Sequence, residues 1–158
     1  MFIIADYHNE AHANSIIALL NEYAQDPMGG GTPLSEYVIS NLIPALQNTP
    51  NAFTVLGFIN DQPVAIANCF TALSTFASKP LINIHDLAVS PAARGQQMSQ
   101  KLLNYIVEKG KSMGCCKVTL EVLSGNSVAK SAYEKFGFEQ YRLNAEHGSA
   151  QFMQKIIA

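Results

Sequence analysis

The chain has 158 residues, 48% of them apolar and 14% charged, and ten Lys and Arg against twelve Asp and Glu leave a net charge of −2. This is the size of one compact domain, 1–158, with enough apolar material for a core, so wholesale disorder is excluded. The charge balance offers no basic footprint for nucleic acid, and the apolar runs are too short and broken to span a bilayer. The opening MFIIADYHNE lacks the basic and long apolar regions of a secretory signal, so a cytoplasmic location is expected.

Phe2 to Ala5 reads as a short strand. Asp6 or Asn9 can cap the next helix, whose apolar stripe is Ala13, Ile16, Ile17, Leu20 and Tyr23. Gln25 to Gly31 is a glycine-rich loop, and Thr32-Pro33 offers a capping hydroxyl followed by a proline suited to a helix start. The second helix carries Tyr37, Val38, Ile39, Leu42 and Ile43, and Pro44 is expected to kink or end it. Phe53–Ile59 and Val64–Leu73 are apolar, β-branched runs around an Asn60-Asp61 turn, and Leu81–Val89 makes a third strand. A long helix is expected from about Arg94 to Met113, then a strand over Val118–Leu123, a helix over Asn126–Phe136, and two final strands, Phe138–Leu143 and Ala150–Ile157. The order β-α-α-β-β-β-α-β-α-β-β predicts an α/β (α+β) fold with a mixed, mostly antiparallel sheet and one parallel crossover.

Metal chemistry finds no foothold. Cys115 and Cys116 are adjacent and Cys69 stands alone, so no CxxC spacing exists, and an odd count without a secretion signal reads as reduced thiols. His8 and His12 sit at helical spacing without a carboxylate cluster, so no metal site is expected.

Two segments carry chemistry. In LINIHDLAVSPAARGQQMSQKLL a strand ends at Val89, Pro91 breaks it, Arg94-Gly95 turns, and a helix begins. A strand–turn–helix of this kind suits a pyrophosphate, because a helix N-terminus presents backbone N–H groups and partial positive charge. Read alone, it is more readily an ordinary turn with a solvated arginine. In LEVLSGNSVAKSAYEKFGFEQ, Asn126 can cap a helix on which Ala129, Ala132, Tyr133 and Phe136 share a face. Alone, Tyr133 also reads as a core aromatic.

Together the segments resemble the GNAT family of N-acetyltransferases over nearly the whole chain. The family's Arg/Gln-x-x-Gly-x-Gly/Ala loop is met by Arg94, Gly95, Gln96, Gln97, Met98 and Ser99, with Gln97 replacing the central glycine and Ser99 the final small residue. Its Asn-x-x-Ala-x-x-x-Tyr-x-x-x-Gly-Phe pattern is met by Asn126, Ala129, Tyr133, Gly137 and Phe138. Ser74-Thr75-Phe76, Pro80 and Ile84-His85-Asp86-Leu87-Ala88-Val89 are also similar to the diamine acetyltransferase branch, with His85 where that branch carries Glu.

The resemblance implies a GNAT-like sheet of 6–7 strands with about four helices, splayed between its fourth and fifth strands to admit acetyl-CoA as co-substrate. Backbone groups of Leu87, Ala88 and Val89 would pair with the pantetheine arm and stabilise the oxyanion. The pyrophosphate would rest on the amides of Gly95, Gln96, Gln97, Met98, Ser99 and Gln100 beside Arg94, with Asn126, Ala129 and Tyr133 completing the cofactor site. A primary amine of a small molecule would attack directly in a ternary complex. Tyr133 would protonate the departing thiolate, a phenol being protonated at neutral pH. In a flat strand only one of His85 and Asp86 faces the site, unless a bulge intervenes. His85 is favoured as base, because an imidazole titrates near neutrality. Asp26, Glu36, Tyr37 and Glu121 are candidates for gripping a cationic amine. Two alternatives stand beside this: a protein lysine or N-terminal acetyltransferase, and a non-catalytic acyl-CoA-binding regulatory module. No nucleic acid, membrane or metal partner is expected, and a homodimer is.

Overall fold

The structure is a computed structural model and describes residues 1–157. The chain divides into two compact units, Met1–Leu120 and Glu121–Ala158. The first holds β1 (Phe2–Ile4), α1 (Glu10–Gln25), α2 (Glu36–Gln47), β2 (Ala52–Ile59), β3 (Gln62–Ser74), β4 (Lys79–Val89), α3 (Met98–Ser112) and β5 (Val118–Leu120); the second holds α4 (Ser127–Phe136). The strands form one sheet in the order β1-β2-β3-β4-β5, antiparallel except for the parallel β4–β5 pair.

Alternation sorts the sheet's side chains. Leu56 and Ile66 stand abreast and join Ala5, with Ile16 and Leu19 of α1 and Leu46 of α2, in one core. Val55 and Ala67, the next abreast pair, point to the opposite face. There α3 lays down Leu102, Leu103 and Ile106, all fully buried. Gly110 lets α3 come close: a Cβ there would stand 3.2 Å from Ile82 Cδ1.

Local signals explain most boundaries. Asn9, not Asp6, caps α1, accepting from the Ala11 and His12 amides at 2.9 and 3.2 Å. Asn60 and Asp61 have φ of +49° and +59°, as a two-residue hairpin turn with the twist of its strands requires. The glycine-rich loop is an ordered cap on α1: a 3-10 turn at Pro27–Gly29 is followed by Gly31 N–H bonding to Asp26 O and Thr32 N–H to Ala24 O, both at 3.1 Å. That last bond keeps Thr32 in the loop. The α2 cap is therefore Ser35, accepting from the Val38 amide at 3.3 Å, and not Thr32. Pro44 does not stop α2, which runs on to Gln47. The proline removes one helical N–H, and its own carbonyl accepts from both the amide and the side chain of Asn48 at 3.1 and 2.9 Å.

The sheet has five strands rather than the expected 6–7, while the four helices are present. Phe138–Leu143 and Ala150–Ile157 do not form strands. Their pairing is one bridge, Arg142↔Ser149, with Ala150 N–H on Tyr141 O at 2.9 Å. An isolated two-stranded ribbon is marginal, and an apolar pattern alone does not make a strand. Leu143, Phe152, Met153, Ile156 and Ile157 are accordingly exposed. The Val118–Leu123 strand is likewise shortened to Val118–Leu120.

Leu102 is sealed between α3 and the sheet. Leu102→Ala is expected to cost about 2–5 kcal/mol of unfolding free energy, read as a lowered midpoint in urea with an unchanged slope.

Candidate active site

The β3–β4 ladder slips once. Asn68 pairs with Asp86 and Cys69 with Ile84, so His85 is the extra residue of a β-bulge. This bulge is the exception to the flat-strand alternation of His85 and Asp86. Asp86 stands abreast of Asn68, on the sheet face that carries Ile66 and Phe70 and packs on α1 and α2. The exposed His85 ring meets the Phe70 ring edge-on, with centroids 5.8 Å apart at 86°. Asn68 Nδ2 donates to Asp86 Oδ2 at 3.0 Å. Burial, followed by the charges of Asp86 and Asp26, pushes the Tyr23 phenol of α1 above its usual pKa, so it faces Asp86 as a protonated hydroxyl. Cys69, one residue from Asn68, is pushed up to about 12 by burial and the Asp86 charge, so it is a core thiol and no nucleophile.

Pairing of β4 with β5 ends at Ile84↔Leu120, one residue before the bulge. Leu87, Ala88 and Val89 continue on β3 alone, opposite Ala67, Ile66 and Ala65. After a 3-10 turn at Pro91–Ala93 the chain takes positive φ at Gly95 (+78°) and again at Gln97 (+61°), which is why α3 begins at Met98 and not Arg94. No side chain caps α3. The first-turn amides of a helix point out of its N-terminus, which suits a phosphate. Gln97 stands in the left-handed region that explains the glycine of the expected pattern, and a side chain there costs about 1–2 kcal/mol.

Asp26 and Arg94, assigned from sequence to different ligands, bind each other. Arg94 Nη2 donates to Asp26 Oδ2 at 3.0 Å, and its Nε to Val89 O at 3.3 Å. The Met28 amide and the Arg94 guanidinium hold the Asp26 carboxyl below the usual range. Ser90 Oγ donates to Glu22 Oε2 at 2.5 Å, a second tie between α1 and the turn after β4. Glu36 and Tyr37 lie on the exposed first turn of α2, and among the described residues no hydrogen bond or ion pair joins them to β4.

In the second unit, the Asn126 side chain accepts from the Ala129 amide at 3.1 Å and starts α4. Gly137, at φ +107°, ends it, its N–H and that of Phe138 both returning to Tyr133 O. Tyr133 is half-buried and meets Phe138 edge-on at 6.0 Å. Glu121 is exposed. Sequence reasoning passed over Asn68, Thr54, Tyr7 and Glu22 as functional residues, and read Tyr23 only as part of a helix stripe. An asparagine inside the apolar run PVAIANCFTAL was the one usable signal, since Asn is depleted in strands.

The Acetyltransferase (GNAT) family model matches residues 16–138. An 87-residue stretch is 29% identical to a [ribosomal protein bS18]-alanine N-acetyltransferase of Haemophilus ducreyi, spanning 55% of this chain and 56% of that protein. Among solved structures, a possible acetyltransferase from Clostridium difficile 630 superposes with a TM-score of 0.80 at 18% identity, covering 100% of this chain and 98% of that one. An aminoglycoside acetyltransferase from an uncultured soil metagenomic sample, in complex with trehalose, gives a TM-score of 0.78 at 16% identity, covering 99% and 95%. The chain belongs to the GNAT family. The chain spans about half the length of the curated relative it matches. Among the described residues no group of three or more His, Cys, Asp or Glu could hold a metal, and no helix is long and apolar enough to cross a membrane.

Gln97→Gly is expected to raise stability by roughly 0.5–1 kcal/mol, and Gln97→Val to lower it by about as much or more, because a β-branched residue tolerates positive φ least. Thermal denaturation of the pair checks the opposite signs. The Asp26–Arg94 tie, formed by a carboxyl whose folded pKa is depressed, stabilises above the unfolded value of about 4 and is lost as pH falls through the lower folded value. The Tm difference between wild type and Asp26→Ala is expected to shrink from pH 7 to pH 3.

Proposed function

We propose that the chain acetylates the primary amine of a small molecule by direct attack on acetyl-CoA in a ternary complex, with residues 1–158 acting as one acetyltransferase domain. The bulge carries this reading. It sets His85 and Asp86 on one face, beside the stretch Leu87–Val89 whose far edge β5 does not pair. Asp86 attracts the cationic amine, and His85 accepts the proton that the amine must lose before attack. The pantetheine arm pairs along Leu87–Val89, and the amides from Gly95 to Gln100 receive the pyrophosphate. Asn126, Ala129 and Tyr133 on the α4 segment are assigned to the cofactor, with Tyr133 protonating the leaving thiolate. Arg94 reaches a phosphate only by leaving Asp26.

The small-molecule class is argued from Asp86. The Ser74-Thr75-Phe76 likeness to diamine enzymes lends nothing, because the β3–β4 ladder ends at Ser74↔Lys79 and Phe76 lies exposed in the turn beyond it. The stretch similar to a ribosomal-protein alanine acetyltransferase favours a second reading, acetylation of a protein N-terminal amine. The test is CoA thiol release with acetyl-CoA and diamines, aminoglycosides, amino acids and alanine-initiated peptides. Release with a small amine, and a kcat about a hundredfold or more lower in Tyr133→Phe at an unchanged KM for acetyl-CoA, is the expected result. Release with the peptides alone moves the assignment to the second reading.

A further inference from the structure

Behind Asp86 a line of polar side chains crosses the sheet. Thr54, Asn68 and Asp86 are abreast on β2, β3 and β4. Thr54 Oγ1 lies 2.7 Å from Asn68 Oδ1, Asn68 Nδ2 lies 3.0 Å from Asp86 Oδ2, and Tyr7 Oη, from the segment before α1, lies 3.0 Å from Thr54 Oγ1. Thr54 is 0% and Asn68 3% exposed, the two buried polar residues in an otherwise apolar core. Buried polar groups of this kind cost stability unless every bond is made.

The bond directions follow from the chemistry of the end group. An ionised carboxylate only accepts, so Asn68 must turn its amide nitrogen to Asp86 and its carbonyl to Thr54. Thr54 then spends its one proton on Asn68, and Tyr7 must donate to Thr54. Every donor therefore points toward Asp86. The line cannot serve as a proton relay, because the amide in its middle has no proton to pass on without tautomerising. It can only orient the carboxylate and stabilise its negative charge. The groups around Asp86 on other elements, Tyr23 from α1 and Cys69 from β3, carry protonated hydroxyl and thiol groups and no opposing charge.

We propose that Asn68, backed by Thr54 and Tyr7, is a positioning residue that aims the Asp86 carboxylate at the acceptor amine. This rests on the acetyl-transfer reading above and adds to it a line of residues that touches neither substrate. A hydrogen bond donated to a charged group is among the stronger ones, and its loss here is expected to appear as amine affinity.

The experiment compares Thr54→Val, which keeps the shape and removes the hydroxyl, with Thr54→Ser, which restores it, and adds Asn68→Leu and the milder Tyr7→Phe. Circular dichroism first confirms folding; if Asn68→Leu does not fold, Thr54→Val and Tyr7→Phe carry the test. Expected is a KM for the amine about tenfold higher in Thr54→Val, an unchanged KM for acetyl-CoA, and recovery in Thr54→Ser. The Asn68 side-chain amide signals, followed by 15N–1H NMR in the intact protein without substrate, are expected to move in both Asp86→Asn and Thr54→Val. Amide signals indifferent to Asp86→Asn would overturn the proposal, because the line would not end on that carboxylate. Amide signals that move while Thr54→Val keeps its amine KM would also overturn it, leaving the acetyl-transfer reading intact. A wild-type protein that turns over no amine would fell that reading, and the positioning role with it.

Discussion

One extra residue in β4 decides which face of the sheet carries the Asp86 carboxylate. Ile82 and Ile84 point at α3, and strict alternation would send Asp86 after them, a carboxylate among Leu102, Leu103 and Ile106. Burying an unpaired charge there would cost several kcal/mol. The insertion of His85 reverses the strand's phase. Asp86 then meets Asn68, Leu87 turns toward α3, and Ala88 joins the α1–α2 core. The same bulge bends the strand and raises its twist. Pairing with β5 stops at Ile84, where the bulge begins, so the paired-on-one-side stretch Leu87–Val89 and the flipped carboxylate share one physical origin.

The sequence did hold a trace of this. The residues of β4 that face α3 are Ile82, Ile84, Leu87 and Val89: steps of two, then three, then two. The step of three is the phase slip of a bulge, but a run of nine residues with apolar neighbours on both faces hides it. Other features were legible because their causes are local. Asn60-Asp61 turns by its own backbone preference, and α1 follows its apolar stripe from an asparagine cap. The final two strands were not legible. Their apolar pattern fits a strand, yet pairing depends on an edge supplied from elsewhere, and pattern alone does not report one.

The motif letters divide into backbone and chemistry. Asn126 and Gly137 start and stop α4 through an N-cap and a left-handed C-cap, and positive φ at residue 97 explains the glycine that Gln97 replaces. These letters serve the backbone, and Gln97 shows that one of them can be given up with the fold kept. The proposed chemistry is left to Tyr133 and Ala129 and to His85 and Asp86, which the motifs do not specify. The fold is thus well marked in the sequence and the proposed acceptor side weakly so, because it draws on Asn68, Tyr23 and Thr54, residue types that elsewhere in a sheet or helix mean nothing in particular.

In the reading proposed above, the acceptor and cofactor sides meet on one helix turn. Glu22 and Asp26 of α1 and its cap bind Ser90 and Arg94 in the turn after β4, and Tyr23 between them faces Asp86. Both ties are exposed, and exposed polar contacts contribute little. They cannot hold α1 in place. That task falls to Ile16 and Leu19, buried against Leu56 and Ile66 and each worth about 1.5–3 kcal/mol of burial. The ties instead set the path of residues 26–31 over a helix already anchored. In that reading Arg94 exchanges Asp26 for a phosphate without dislodging Tyr23, a task to which a weak ion pair is better suited than a strong one.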